Sequence, residues 1–310
     1  MEICVRNLVK RYGNLIALDH LNLEINKGEV FGLLGPNGSG KTTAINCILS
    51  LLKYDKGTIE VMGRPMSPTA YDIKREIGVI MQNVAVFDEL NVIENIDYFC
   101  GLYVRDKKER ARLVNDAIEF VALQDFRKFS PKKLSGGLLR RLNIACGIAH
   151  KPKLIIMDEP TVAVDPQSRN NILEGIQKLN REGATILYTS HYMEEVESIC
   201  SRIAIMDKGR IIASGTNNEL KAMISTGEKI SIEVCGIGPD VTKYFKELHG
   251  VNSVEYSDNV LIIKSQRGIN NLAAAVDYLK SGNIEFSRIY SELPTLNDVF
   301  LEITGKELRD

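Results

Sequence analysis

No apolar run in these 310 residues approaches the roughly 20 that a helix needs to cross a bilayer, so any membrane role is expected to come through a partner. There is no C-x-x-C pair either. Cys4, Cys47, Cys100, Cys146, Cys200 and Cys235 are widely scattered, which argues against a zinc site or a disulfide framework and fits a reducing cytosol. Charge of one sign is not in excess: a net charge of −1 gives no electrostatic argument for nucleic acid or an anionic membrane as the main partner. The first residues, Met1-Glu2-Ile3-Cys4-Val5-Arg6, lack the long apolar core of a signal peptide. What is present, 44% hydrophobic and 25% charged residues, is the composition of a soluble globular chain with length for one large or two medium domains.

One stretch organises the rest. Gly35-Pro36-Asn37-Gly38-Ser39-Gly40-Lys41-Thr42-Thr43 fits G-x-x-x-x-G-K-[ST], the phosphate-binding loop. Val30-Phe31-Gly32-Leu33-Leu34 ahead of it reads as a buried strand, and Ala44, Ile45, Ile48, Leu49 and Leu52 behind it recur at helical spacing. Glycines let the backbone wrap round an anion, and a helix N-terminus aims unpaired N–H groups at it. Lys41 would reach the outer phosphates and the Thr42 hydroxyl would ligate Mg²⁺.

Along the chain, Ile3–Leu8 and Leu21–Ile25 read as strands, with Tyr12 between them either a base-stacking aromatic or a strand-end tyrosine. Gly57–Val61 and Ile77–Met81 are further strands, and Gln82 follows the second at its C-terminal end, where α/β folds gather ligand groups. From Glu89 to Ala149 the pattern is helical, interrupted by Leu134-Ser135-Gly136-Gly137 before a helix carrying Leu138, Leu142 and Ala145; that N-terminus is an anion site or an ordinary cap. Leu154–Met157 is apolar throughout, hence a strand covered on both faces, and it ends in Asp158-Glu159. Two carboxylates closing a buried strand read as a Mg²⁺ ligand beside a water-activating base. A helix over Arg169–Arg181 and the strand Ala184–Tyr188 lead to Thr189-Ser190-His191, a histidine that again ends a core strand. A helix over Met193–Cys200 and the strand Ile203–Met206 follow. After Gly227 the order of elements becomes βαββαβ, the split βαβ of ferredoxin-like domains, followed by a last helix with Leu296, Val299, Phe300 and Ile303 on one stripe and Thr295 and Asp298 as its cap. The chain is thus read as α/β, with domains at 1–224 and 225–310.

Phosphate loop, glutamine after a strand, helical insert with Leu-Ser-Gly-Gly, strand ending in Asp-Glu and strand ending in His occur here in one order. That order resembles the ATP-binding cassette ATPase family over residues 1 to about 222. The resemblance implies a P-loop NTPase fold with an antiparallel β subdomain and a helical subdomain at about 86–150. It implies that Tyr12 stacks on adenine, that Gly35 to Thr43 is the Walker A loop, and that Gln82 senses Mg²⁺ and the transmembrane partner. Ser135, Gly136 and Gly137 would bind the γ-phosphate of ATP held by a second copy. Asp158 matches the Walker B aspartate, Glu159 the general base, Asp165 the D-loop aspartate and His191 the switch histidine. ATP and Mg²⁺ are the implied cofactors, with Thr42, Gln82 and Asp158 as metal ligands and Lys41, Glu159 and His191 as the catalytic groups. Two positions depart from the usual pattern: Leu138-Leu139 where Gln often follows the signature, and Val162-Ala163-Val164-Asp165 in the D-loop. Neither removes a group with catalytic duty.

The stretch from Leu293 to Gly305, with Leu308-Arg309-Asp310, looks like the tail of drug-resistance-type ATP-binding subunits of type 2 exporters. The expectation is an ATPase subunit on the cytoplasmic face of the membrane, joined to a separate permease and to a second ATP-binding subunit, with no nucleic acid. The alternative is a soluble cassette ATPase acting on ribosomes or another cytosolic assembly. Those usually carry two cassettes or long coiled coils, and neither is found here. A subunit whose hydrolysis is vestigial is disfavoured by intact Glu159 and His191.

Overall fold

Period-two and all-apolar runs become strands, and the 3.6-residue stripes become helices, across the computed structural model, which describes residues 1–305. The stretch Leu308-Arg309-Asp310 that entered the tail resemblance lies outside the described residues. In chain order the first part runs β1 (Ile3–Tyr12), β2 (Leu15–Ile25), β3 (Val30–Leu34), α1 (Lys41–Ile48), β4 (Lys56–Val61), β5 (Arg64–Pro65), α2 (Tyr71–Lys74) and β6 (Ile77–Ile80). It continues with α3 (Val92–Gly101), α4 (Lys107–Phe120), α5 (Gly136–Ile148), β7 (Leu154–Asp158), α6 (Pro166–Arg181), β8 (Thr185–Ser190), α7 (Met193–Ile199), β9 (Arg202–Asp207) and β10 (Arg210–Gly215).

Two sheets form from these strands. One is antiparallel in the order β2-β1-β4-β5; the other has six strands in the order β10-β9-β3-β8-β7-β6, parallel except where β10 turns back on β9. The parallel strands β3, β7 and β8 are buried at every residue, as expected for the apolar stretches at their centres, with Asp158, Thr185, Thr189 and Ser190 as buried polar residues at strand ends. Helix α1 and side chains of both sheets share one core, including Ile3, Leu21, Phe31, Ile45, Ile48 and Leu187. Because β3, β7 and β8 are adjacent and parallel, their C-terminal ends lie side by side, and these carry Gly35, Asp158-Glu159 and Ser190-His191. β1 and β2 are longer than their periodicity indicates, because the pairing of Lys10 to Tyr12 with Leu18 to Leu15 continues the ladder past the apolar alternation. β10 has no period-two signal and owes its place to pairing with β9.

The chain divides after Thr216, eight residues before the boundary at 224 expected from the change of pattern near Thr226-Gly227. The second unit holds α8 (Asn217–Ala222), β11 (Thr226–Val234), α9 (Pro239–Glu247), β12 (Val251–Ser257), β13 (Val260–Gln266), α10 (Leu272–Ser281), β14 (Phe286–Glu292) and α11 (Leu296–Thr304). Its antiparallel sheet, in the order β12-β13-β11-β14, is that of the ferredoxin-like fold. Ile230, Ile232, Leu261 and Ile263 of the sheet pack with Phe245 of α9 and Leu279 of α10 into a separate core. No helix among the described residues is long and apolar enough to cross a membrane.

Candidate active site

The site starts with the loop between β3 and α1. Gly40 has φ 108°, and a Cβ there would stand 2.7 Å from the carbonyl oxygen of Ala17, so conformation and space both demand glycine. A Cβ on Gly35 would run into the Met206 carbonyl and the Ser39 hydroxyl. Helix α1 begins at Lys41 with no side-chain cap on its first amides. Ser39 Oγ is buried beside them with no hydrogen-bond partner. A cradle of uncapped N–H groups and an orphaned hydroxyl suits an anion whose oxygens accept from both. Lys41 Nζ, 5% exposed, donates to the carbonyls of Gly35 at 2.7 Å and Pro36 at 3.3 Å, and lies 3.3 Å from Glu159 Oε1.

The tip of β7 supplies both carboxylates. Asp158 accepts from the hydroxyls of Thr42 at 2.8 Å and Thr189 at 2.6 Å, one on each of its oxygens. Glu159 leaves the strand with a left-handed backbone, φ 48°, a conformation that costs a non-glycine residue about 1–3 kcal/mol and is held by its surroundings. Here the Glu159 amide donates to the Thr189 hydroxyl at 3.0 Å and to its carbonyl at 3.2 Å. The turn also directs the Glu159 side chain to Lys41 rather than onward along β7. Gln82, just beyond β6, donates from Nε2 to Glu159 Oε2 at 3.3 Å, and His191 Nδ1 lies 3.4 Å from the same oxygen without hydrogen-bond alignment.

The structure therefore brings Lys41, Thr42, Gln82, Asp158, Glu159 and His191 together. Among the described residues, Tyr12, Ser135, Gly136, Gly137 and Asp165 make no hydrogen bond to that group. Tyr12 ends β1, 49% exposed, with Lys10 Nζ 5.0 Å from its ring centre. Ser135 caps α5 by accepting from the Leu138 amide at 3.4 Å, and Asp165 caps α6 by accepting from the Ser168 amide at 2.9 Å. That N–H bond holds the Asp165 carboxyl below its ordinary pKa. Ser135, Gly136 and Asp165 are exposed, whereas Gly137 is buried against Ser168 and Asp165.

Three residues of the site carry no motif. Thr189 donates its hydroxyl to the Asp158 carboxylate and accepts from the Glu159 amide, so it ties down both residues at the tip of β7; a hydroxyl residue near the end of an apolar strand, beside His191, was the available signal. Arg140 Nη1 donates to the Met81 carbonyl at 3.2 Å, and Asn143 Oδ1 accepts from the Ala85 amide at 3.1 Å, so α5 grips the segment bearing Gln82. On the helical wheel both read as ordinary polar positions.

Residues 18–162 match the family model described as ABC transporter. Over 98% of both chains, the sequence is 37% identical to the linearmycin resistance ATP-binding protein of Bacillus subtilis. It is 35% identical to the daunorubicin resistance ATP-binding protein of Streptomyces coeruleorubidus, over 99% of this chain and 97% of that one. An ATP-binding cassette solved as a post-hydrolysis dimer with ADP and Pi superimposes with a TM-score of 0.64 at 26% identity, covering 69% of this chain and 98% of that one.

Proposed function

The chain belongs to the ATP-binding cassette transporter family, and from that premise we propose how its residues serve the ATP-binding and ATP-hydrolysing subunit of an exporter. The observation that carries the reading is one connected group: Thr42–Asp158–Thr189–Glu159, with Glu159 meeting Lys41, Gln82 and His191, and no link longer than 3.4 Å.

Phosphoryl transfer to water needs charge neutralisation and an oriented nucleophile more than covalent help. The loop from Gly35 to Thr43 cradles the β- and γ-phosphates with its amides, and Lys41 offsets their charge. An arriving γ-phosphate competes with Glu159 for the Lys41 ammonium, which leaves the carboxylate to orient water and take its proton. His191 contacts the γ-phosphate, and Tyr12 stacks on the adenine. Thr42, Asp158 and Gln82 would hold Mg²⁺; one carboxylate plus a hydroxyl suits an ion that keeps waters and phosphate oxygens as its other ligands. Bound there, the ion would supply neutralisation of charge on the β- and γ-phosphates. The described residues contain no cluster of three His, Cys, Asp or Glu that would make an all-protein metal cage.

Ser135, Gly136, Gly137 and Asp165 complete the site of a second copy, a reading supported by the exposed position of Ser135, Gly136 and Asp165 at the starts of α5 and α6. The subunit docks on the inner face of the membrane against a separate integral-membrane permease, which selects the cargo, a reading favoured over a ribosomal role by relatives named for drug resistance.

Lys41→Ala is expected to abolish ATP binding. Glu159→Gln is expected to keep binding, lower turnover by about 100-fold or more and trap a closed dimer. Steady-state ATPase assays and size-exclusion chromatography with MgATP measure both, and near-normal turnover in Glu159→Gln would remove the base assignment. Detergent co-purification with the tagged Glu159→Gln protein tests the partner: a stoichiometric polytopic membrane protein is expected, and ribosomes or soluble factors alone would reverse that part.

A further inference from the structure

Glu195 belongs to none of the motifs. It sits in the first turn of α7, directly after Glu194, yet it is 3% exposed. Its Oε2 accepts three hydroxyls, from Tyr188 at 2.7 Å, Thr161 at 2.8 Å and Ser190 at 3.0 Å. Its Oε1 lies 3.3 Å from Arg169 Nε of α6. The Arg169 guanidinium stands 4.7 Å over the Tyr192 ring, and that ring is 4.1 Å from the His191 ring, centre to centre. Ser190 Oγ closes the circuit by accepting from the Tyr192 amide at 2.9 Å.

The two segments tied together here are those that flank the reacting groups. Thr161 opens the turn from Glu159 to Asp165, and Ser190 and Tyr192 bracket His191. An apolar side chain would fill this place without desolvating a charge, so a carboxylate with this many partners is an expensive way merely to pack the interior. What it adds is direction: three O–H donors from two strand ends converge on one oxygen and fix both loops against each other.

We propose that Glu195 is a positioning residue for ATP hydrolysis, locking the His191 loop to the turn that follows Glu159 so that histidine and base keep one geometry. The inference rests on the roles of Glu159 and His191 given above. Small displacements of reacting groups are costly, and a misplacement of about 1 Å can lower a rate about 100-fold.

The test is steady-state ATPase kinetics on the full-length chain for Glu195→Gln, Ser190→Ala, His191→Ala and the Glu195→Gln/His191→Ala double variant, with thermal midpoints alongside. In Glu195→Gln, kcat is expected to fall about tenfold or more while KM for ATP stays within about twofold, since the phosphate cradle is untouched. The double variant should be no slower than His191→Ala alone, because a residue acting through His191 has nothing left to position. Ser190→Ala, which removes one bridge and little volume, should lower kcat in the same direction, and it decides the matter if Glu195→Gln does not fold. Wild-type kcat in Glu195→Gln, or in Ser190→Ala where that variant decides, would overturn the inference. So would a raised KM at unchanged kcat, or losses that multiply in the double variant. A His191→Ala protein with normal turnover would instead remove the reading of His191, and this inference with it.

Discussion

His150 shows how one side chain can carry a pH dependence that no motif announces. It follows α5, stacks on Tyr103 with ring centres 3.9 Å apart, and has Nε2 at 3.3 Å from the Ile77 carbonyl. Burial pushes its pKa down to about 4, against smaller upward pulls from that carbonyl and from Glu76. An unfolded chain protonates this histidine below its ordinary value near 6.5, whereas the folded chain does so only near 4, so the unfolded state holds more protons in that window. Stability is therefore complete above the unfolded pKa and falls with pH down to the folded one, by up to about 3 kcal/mol. His150→Gln is expected to flatten that part of the acid limb. Thermal midpoints of both proteins across the same pH range check it, and parallel curves would contradict the assignment.

At the scale of elements, β6 and α5 approach more closely than side chains allow. A Cβ on Gly78 would lie 2.5 Å from the Gly147 carbonyl oxygen and 2.7 Å from Pro152 Cγ. The first neighbour is backbone and cannot swing aside. Gly78→Ala is therefore expected to cost about 1–3 kcal/mol, read from the shift in urea midpoint against the wild-type chain. An unchanged midpoint would mean that the two elements separate freely. Local signals of other elements were legible. Thr295 and Asp298 do form a reciprocal cap on α11, with the Asp298 amide donating to Thr295 Oγ1 at 3.3 Å and the Thr295 amide to Asp298 Oδ2 at 2.8 Å. The cap is readable because both partners lie within one turn. The gap between β6 and α5 joins residues far apart in the chain, and no local pattern encodes it.

For the whole molecule, the consequential fact is that the second unit builds a core from its own stretch of chain. The unit from Asn217 closes its own sheet over Phe245 and Leu279, both fully buried. A fragment of residues 217–305 is expected to fold alone and unfold cooperatively in urea, followed by circular dichroism. Phe245→Ala in that fragment should lose about 3–5 kcal/mol, enough to unfold a domain of this size. A fragment without a cooperative transition would show that its core depends on the rest of the chain.

The sequence by itself determined the nucleotide loop, the order of strands and helices, the ferredoxin-like unit and the carboxylates and histidine at strand tips. Each is written in neighbouring residues, as a turn, a period or a run, and local backbone physics converts these directly into elements. Only the tertiary structure decided which strand tips stand side by side, and so that Lys41, Gln82 and His191 converge on Glu159. It alone made Thr189 the shared partner of the Asp158 carboxylate and the Glu159 amide and buried Glu195 under hydroxyls from Thr161, Tyr188 and Ser190. A lone threonine or glutamate carries no periodic signal. What such a residue does is set by partners that only the pairing of β3, β7 and β8 brings within reach.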